Sequence, residues 1–101
     1  NLGNLLAFVD WNGSAAQLQS IENLEMKWRA FGWRTVTLDG HNSFEMIEFL
    51  HSHDFSTMIP TVVLAKTIKG KGVQFLEGHG AWHHKMPNSD QLNQIRLELF
   101  K

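Results

Sequence analysis

Three short segments hold most of the residues able to do chemistry. The first is Asp10-Trp11-Asn12-Gly13-Ser14. An asparagine oxygen and a backbone carbonyl two residues later can face one hard cation, and Mg²⁺ collects about six oxygens, several from phosphate and water. Asn-Gly after a strand is more often only a turn, so the residues alone leave both readings open. The second segment, Lys66-Thr67-Ile68-Lys69-Gly70-Lys71-Gly72, is basic and glycine-rich. It lacks the GxxxxGKS spacing of a phosphate loop. Its glycines would let backbone amides approach an anion, and a solvated basic loop explains it as well. The third, Gly78-His79-Gly80-Ala81-Trp82-His83-His84-Lys85, holds three of the six histidines. Histidine moves protons near neutral pH. Adjacent His83 and His84 point apart in most conformations, and no third zinc ligand is nominated; the glycines fit a loop folding over a site.

Other candidates have simpler explanations. His51 and His53 sit at a predicted helix end, where cations suit the dipole; His41 follows a strand end and stays a candidate. Trp28 and Phe31 belong to an apolar helix stripe and are expected in the core. Trp11 and Trp82 fall in loops and remain open to stacking on a ligand.

The elements that must position these residues are legible. Leu5 to Val9 is a continuous apolar run, as expected of a strand buried on both faces. Thr35-Val36-Thr37-Leu38 is β-branched and follows Gly32, a helix stop. Thr61 to Ala65 follows Pro60. Between the strands, Ile21, Leu24, Trp28 and Phe31 recur at helical spacing. Asn42 is a predicted cap with Glu45 as its capping-box partner, and Phe44, Ile47 and Leu50 form the apolar face of that helix. A last helix starts near Asn88 or Ser89 and carries Leu92, Ile95 and Leu99. The order β-α-β-α-β-loop-α predicts an α/β fold, a parallel sheet with flanking helices. No repeat, low-complexity stretch or linker interrupts it, so the chain reads as one unit. In such sheets ligands bind beyond the carboxyl ends of the strands, where Asp10 to Gly13, Asp39 to His41 and Thr67 to Gly72 lie.

Totals narrow the function. With 43% apolar and 19% charged residues the 101-residue chain has a globular composition. A net charge of −1 supplies no field drawing it to nucleic acid or an anionic membrane. The absence of cysteine rules out disulfides and thiolate metal sites and points to the cytoplasm. The longest apolar run falls far short of the roughly 20 residues of a membrane helix. Asn1 stands only four residues before the first apolar run, an abrupt entry into a strand. The chain is therefore expected to be a fragment, or part of a split subunit.

Taken in order, the segments resemble the transketolase family over nearly the whole chain. Leu2 to Gly13 resembles its "NLxxxxDxNG" segment, Lys27 to Trp33 its "KxxAFGW" helix end, and Leu38 to Asn42 its "xDGHD" strand end. Pro60 to Gly72 is similar to "PTxIxAKTxKGKG", and Trp82 to Pro87 to "WHGKxP" with His84 in place of the glycine. The resemblance implies that residues 1–101 are the C-terminal portion of a thiamine-diphosphate-binding domain, with the Gly-Asp-Gly half of the metal motif lying upstream. It implies thiamine diphosphate held through Mg²⁺ (or Ca²⁺), with Asn12 and the Ser14 carbonyl as metal ligands. Asn12, Gly13, Lys66 and His83 are the implied cofactor-binding residues, and His83 the catalytic one, able to hydrogen-bond or shuttle protons near the reacting carbonyl. The implied enzyme is a transketolase-like transferase moving a two-carbon ketol unit from a ketose (phosphate) to an aldose (phosphate), the chain alone being inactive. Implied partners are the remaining transketolase domains or a complementary subunit, in a homodimer or heterotetramer, with sugar or sugar-phosphate substrates. Ser14 to Leu18 is shorter than the family's usual segment, with Ala16 where an aliphatic residue falls. The alternatives are another thiamine-diphosphate enzyme, such as a deoxyxylulose-phosphate synthase, and a non-catalytic α/β binding module.

Overall fold

A computed structural model of the chain describes residues 2–13, 20–78, 82 and 85–100. Contacts gather the chain into two compact units, Asn1–Thr67 and Ile68–Lys101. The sequence reads as a single unit because no linker composition marks the boundary, which falls where a strand ends and a glycine-rich turn begins.

The first unit holds β1 (Leu6–Trp11), α1 (Ile21–Ala30), β2 (Arg34–Asp39), α2 (Ser43–Ser52) and β3 (Thr61–Lys66). The expected alternation is present, and the strands form a parallel sheet in the order β1-β3-β2. Among the described residues the last strand in sequence is thus the central one. Its register aligns Asp10, Ala65 and Leu38 in one row and Trp11, Lys66 and Asp39 in the next.

That order decides burial. Val62, Val63 and Leu64 of β3 are fully buried, with Thr61 and Ala65 nearly so. β1 was expected to be buried on both faces and is not: Phe8 is 49% exposed, and no residue of the strand is fully buried. Among the described residues β1 hydrogen-bonds to β3 alone, whereas β3 is paired on both sides.

The helix ends follow from side-chain and backbone hydrogen bonding. Ser20 accepts the Asn23 amide at 3.2 Å and starts α1. At its other end Gly32, at φ +86°, donates to the Arg29 carbonyl at 2.9 Å, while the Trp33 amide reaches the Trp28 carbonyl at 3.1 Å. This pair of bonds is a Schellman stop. The apolar contact that accompanies such a stop is the Trp28–Trp33 ring pair, edge to face at 4.9 Å. The stripe ends earlier than its spacing implies: Phe31 lies beyond the last helical residue and is 83% exposed, outside the core in which it was expected. Polar contacts also join α1 to β2. The Arg29 Nε donates to Thr35 Oγ1 at 2.9 Å, and Thr37 Oγ1 donates to Glu25.

Asn42 caps α2 by accepting the Glu45 amide at 3.1 Å. Its own amide donates to the Asp39 carbonyl at 3.1 Å, so the turn has taken the donor that a capping box would offer Glu45. The apolar face also differs from expectation: Phe44, Ile47 and Leu50 are exposed, and Met46 and Phe49 turn inward. Apolar residues occur on two sides of this helix, so periodicity does not say which side meets the sheet. His53 ends α2 with its ring against Phe49 at 5.3 Å and Phe55 at 4.4 Å, a packing role instead of a dipole one. Its buried Nε2 has no partner among the described residues.

The second unit holds the buried Val73, a 3-10 turn (Gln74–Leu76) and α3 (Ser89–Leu99). Asn88 and Gln91 form a full capping box, each side chain accepting the other's amide at 2.9 Å. The row on α3 that turns inward is Gln91, Ile95 and Glu98, with Leu92 and Leu99 more exposed. Glu98 is held there by the Gln74 amide at 2.7 Å. Among the described residues no helix is long and apolar enough to cross a membrane.

Candidate functional site

Because the sheet is parallel, the carboxyl ends of all three strands share one edge, and the residues just past them are neighbours. The chain leaves β1 through Asn12 and Gly13, leaves β2 through Gly40 and His41, and leaves β3 through Thr67. Gly13 has φ +79°, a left-handed conformation that turns the backbone away from the strand line. Gly40 is required for a different reason. A Cβ there would stand 2.5 Å from Thr67 Cγ2 and 2.9 Å from the Lys66 carbonyl oxygen. Only a residue without a side chain lets this turn lie against the end of β3.

Hydrogen bonds tie the ends together. The Gly40 amide donates to the Lys66 carbonyl at 2.7 Å, and the Thr67 amide to the Trp11 carbonyl at 3.0 Å. Thr67 Oγ1 donates to the Asp10 carboxylate, a residue 57 positions away in sequence. The His41 amide donates to Asp39 Oδ1 at 2.9 Å, which folds the β2 exit back on itself. Asp10, Asp39 and Lys66 are exposed, so this edge carries two carboxylates and one ammonium. Such a balance repels a bare polyanion and favours a divalent cation that can bridge to one.

Of the predicted site residues, Asn12, Gly13 and Lys66 are brought to this one edge, Lys66 in register with Trp11 immediately before Asn12. Ser14 and His83 lie outside the described residues. Thr67, Asp10 and Gly40, which fix the arrangement, were not singled out as site residues; a bond spanning 57 positions leaves no local pattern.

The basic glycine-rich turn is resolved by its amides. Those of Lys71 and Val73 donate to the Ile68 and Gly70 carbonyls at 3.1 and 3.2 Å, and that of Gly72 to the Glu77 carboxylate at 3.2 Å. These three amide donors are engaged within the loop and are not turned towards an anion. Trp82 packs edge to face on Phe75 at 5.3 Å, and the Lys85 ammonium lies 4.7 Å from its ring centre. Among the described residues no group of three His, Cys, Asp or Glu gathers as a metal cage.

Residues 1–100 match a family described as "Transketolase, thiamine diphosphate binding domain". The chain belongs to this transketolase family. It is 40% identical, over 99% of its length, to the 6-deoxy-6-sulfo-D-fructose transketolase subunit SqwG of Clostridium sp., covering 38% of that protein. It is 33% identical over 97% of its length to an apulose-4-phosphate transketolase subunit of Phocaeicola vulgatus, covering 37%. Against the transketolase of Mus musculus it is 33% identical over 98% of its length and covers 16%. The chain therefore spans well under half the length of the curated relatives it matches. Within this transketolase domain, the strand edge bearing Asn12, Gly13 and Lys66 is the part the described residues assemble from the expected site.

Its chemistry suits a metal-bridged diphosphate. The Asn12 side chain brings a hard amide oxygen, Gly13 turns the backbone, and Lys66 stands at the same edge with a positive charge. The chain has no cysteine, so thiolate is not among the groups at this edge.

Proposed function

We propose that this chain is the C-terminal portion of the diphosphate-binding domain of a transketolase-like transferase, which moves a two-carbon ketol unit from a ketose (phosphate) to an aldose (phosphate). The observation that carries this reading is the placement of Asn12-Gly13 at the carboxyl end of β1, beside Thr67 and Lys66 at the end of β3, in a chain of this family. In this reading Asn12 and the Ser14 carbonyl hold Mg²⁺ or Ca²⁺, and Lys66 offsets diphosphate charge. Thiamine diphosphate, when bound, supplies the carbanion chemistry that the protein's own side chains lack. His83 holds or moves a proton at the reacting carbonyl.

Two protein oxygens fall short of the about six that Mg²⁺ requires. Diphosphate, water and protein donors from outside this chain complete the set, and the Gly-Asp-Gly half of the motif is their expected source. Two relatives are named as transketolase subunits; by that likeness, a complementary subunit completes the enzyme, in a homodimer or heterotetramer acting on a sugar or sugar phosphate. A cytoplasmic location belongs to the same proposal.

The test is calorimetry and steady-state kinetics on the intact enzyme. Asn12→Ala is expected to weaken Mg²⁺-dependent binding of thiamine diphosphate at least about tenfold. His83→Ala should lower turnover by roughly 10²-fold or more while changing cofactor affinity less. An unchanged rate would remove His83 from the mechanism. Failure of the unaltered protein to bind the cofactor would leave the reading of a non-catalytic binding module.

A further inference from the structure

We propose that Asn12-Gly13 is a self-modifying site, in which the Gly13 backbone nitrogen converts the Asn12 amide to an acid while the cofactor is absent. Occupancy of the site then decides how long its ligand lasts, a consequence that rests on the reading of Asn12 as the metal ligand. Asn12 is the asparagine of this chain that precedes a glycine; Asn42 and Asn88 precede serines, and the others precede larger residues. Gly13 stands at φ +79°, a left-handed turn that L side chains rarely adopt. The turn that follows the ligand thus leaves the next nitrogen without a Cβ to screen it. Both residues lie past Trp11–Lys66, the last paired row of β1 and β3, and neither is buried, so water reaches them. Asn42 and Asn88 are held differently. The Oδ1 of each accepts a helix-cap bond, from the Glu45 amide at 3.1 Å and the Gln91 amide at 2.9 Å. That bond must break before the amide carbon can turn to the following nitrogen.

The step is an acyl transfer with no change of oxidation state. The Gly13 nitrogen, losing its proton to solvent, bonds to Asn12 Cγ, and the bond from Cγ to the amide nitrogen breaks to release ammonia. Water then opens the cyclic imide at either carbonyl. One product is aspartate. The other is isoaspartate, in which the main chain runs through the side-chain carbons and is one atom longer. Each adds a carboxylate to an edge that already carries those of Asp10 and Asp39, and isoaspartate also displaces the ligand oxygen. Asn12, when engaged with a divalent cation, keeps its amide carbon turned from the backbone, so a filled site is protected.

The test is peptide mass mapping of the intact enzyme aged with and without thiamine diphosphate and Mg²⁺. Without them, the amide-to-acid product should accumulate at Asn12 at least about fivefold faster than at Asn42 or Asn88, the factor that their cap bonds impose. Unoccupied protein alone reacts, so cofactor at about ten times its Kd should slow Asn12 about tenfold and leave Asn42 and Asn88 unchanged. Calorimetry on the aged protein should show cofactor sites lost in proportion to the isoaspartate fraction. Full occupancy in protein largely converted to isoaspartate overturns the consequence for the site. Equal slowing at all three asparagines would mean modification through global unfolding and overturns the proposal. A rate at Asn12 no faster than at Asn42 also overturns it and leaves the metal reading, tested by Asn12→Ala, standing. Fast modification that bound cofactor does not slow overturns the protection, and parental binding in Asn12→Ala overturns the metal reading itself.

Discussion

Replacing Gly40 with alanine tests how tightly the strand exits are packed. The added Cβ would stand 2.5 Å from Thr67 Cγ2, 2.9 Å from the Lys66 oxygen and 3.3 Å from Ala65 Cβ. Carbon–carbon contacts are comfortable near 3.5–4.0 Å, so all three neighbours are too close, the first two by the most. Rotating Thr67 relieves its methyl but takes the hydroxyl off Asp10. Moving the Lys66 carbonyl lengthens the 2.7 Å bond it accepts from the residue 40 amide. Overpacking of this kind costs about 1–3 kcal/mol, and losing a hydrogen bond about 1 kcal/mol more. Alanine returns about 0.4–1 kcal/mol by stiffening the unfolded chain. The clash wins, with a net loss of about 2 kcal/mol. At 1.36 kcal/mol per factor of ten, amide exchange at residue 40 should accelerate roughly thirtyfold. The double variant with Thr67→Ser removes the methyl clash and keeps the hydroxyl, and should recover about half of the loss. Exchange within about twofold of the parent in Gly40→Ala, or no recovery in the double variant, would refute the packing argument.

Leu64 is fully buried in the central strand, so Leu64→Ala should lower the urea unfolding free energy by about 2–5 kcal/mol. Leu97→Ala, at a position 68% exposed, should cost less than about 0.5 kcal/mol. Asn88→Ala removes a capping box and should destabilise α3 by about 1 kcal/mol, read as faster exchange in its first turn. The Asp54 carboxyl is held below its usual value of 3.8, first by the Ser56 hydroxyl and then by the Ser56 amide. Because the folded value is depressed, this contribution is present above pH 3.8 and fades as pH falls through the folded value. Ser56→Ala should move the Asp54 carbon titration back towards 3.8, and the stability gap between variant and parent should close in acid.

Much of this architecture is legible in local sequence because local bonds create it. Gly32, Asn42 and Asn88 mark helix ends through contacts within five residues, and the structure makes those contacts. What local pattern does not carry is the strand order. Leu5 to Val9 and Thr61 to Ala65 are similar apolar runs, yet among the described residues the second alone is flanked by strands on both sides. The same blindness misplaces the outward face of α2, where apolar residues occur on two sides. At the candidate site, the motif segments nominate Asn12, Gly13 and Lys66, whereas the Asp10–Thr67 bond and the Gly40 contact arise only when three distant segments meet.

The central position of β3 also explains why its carboxyl end organises the site. A strand paired on both sides, with five successive buried residues, is the most firmly held backbone among the described residues. Groups hung directly on its end inherit that rigidity. Lys66 and Thr67 are those groups, and each takes a hydrogen bond across to a flanking strand exit: Lys66 accepts from Gly40, and Thr67 donates to Trp11. Asn12 follows β1, whose end is tied to β3 by the Thr67 amide and hydroxyl.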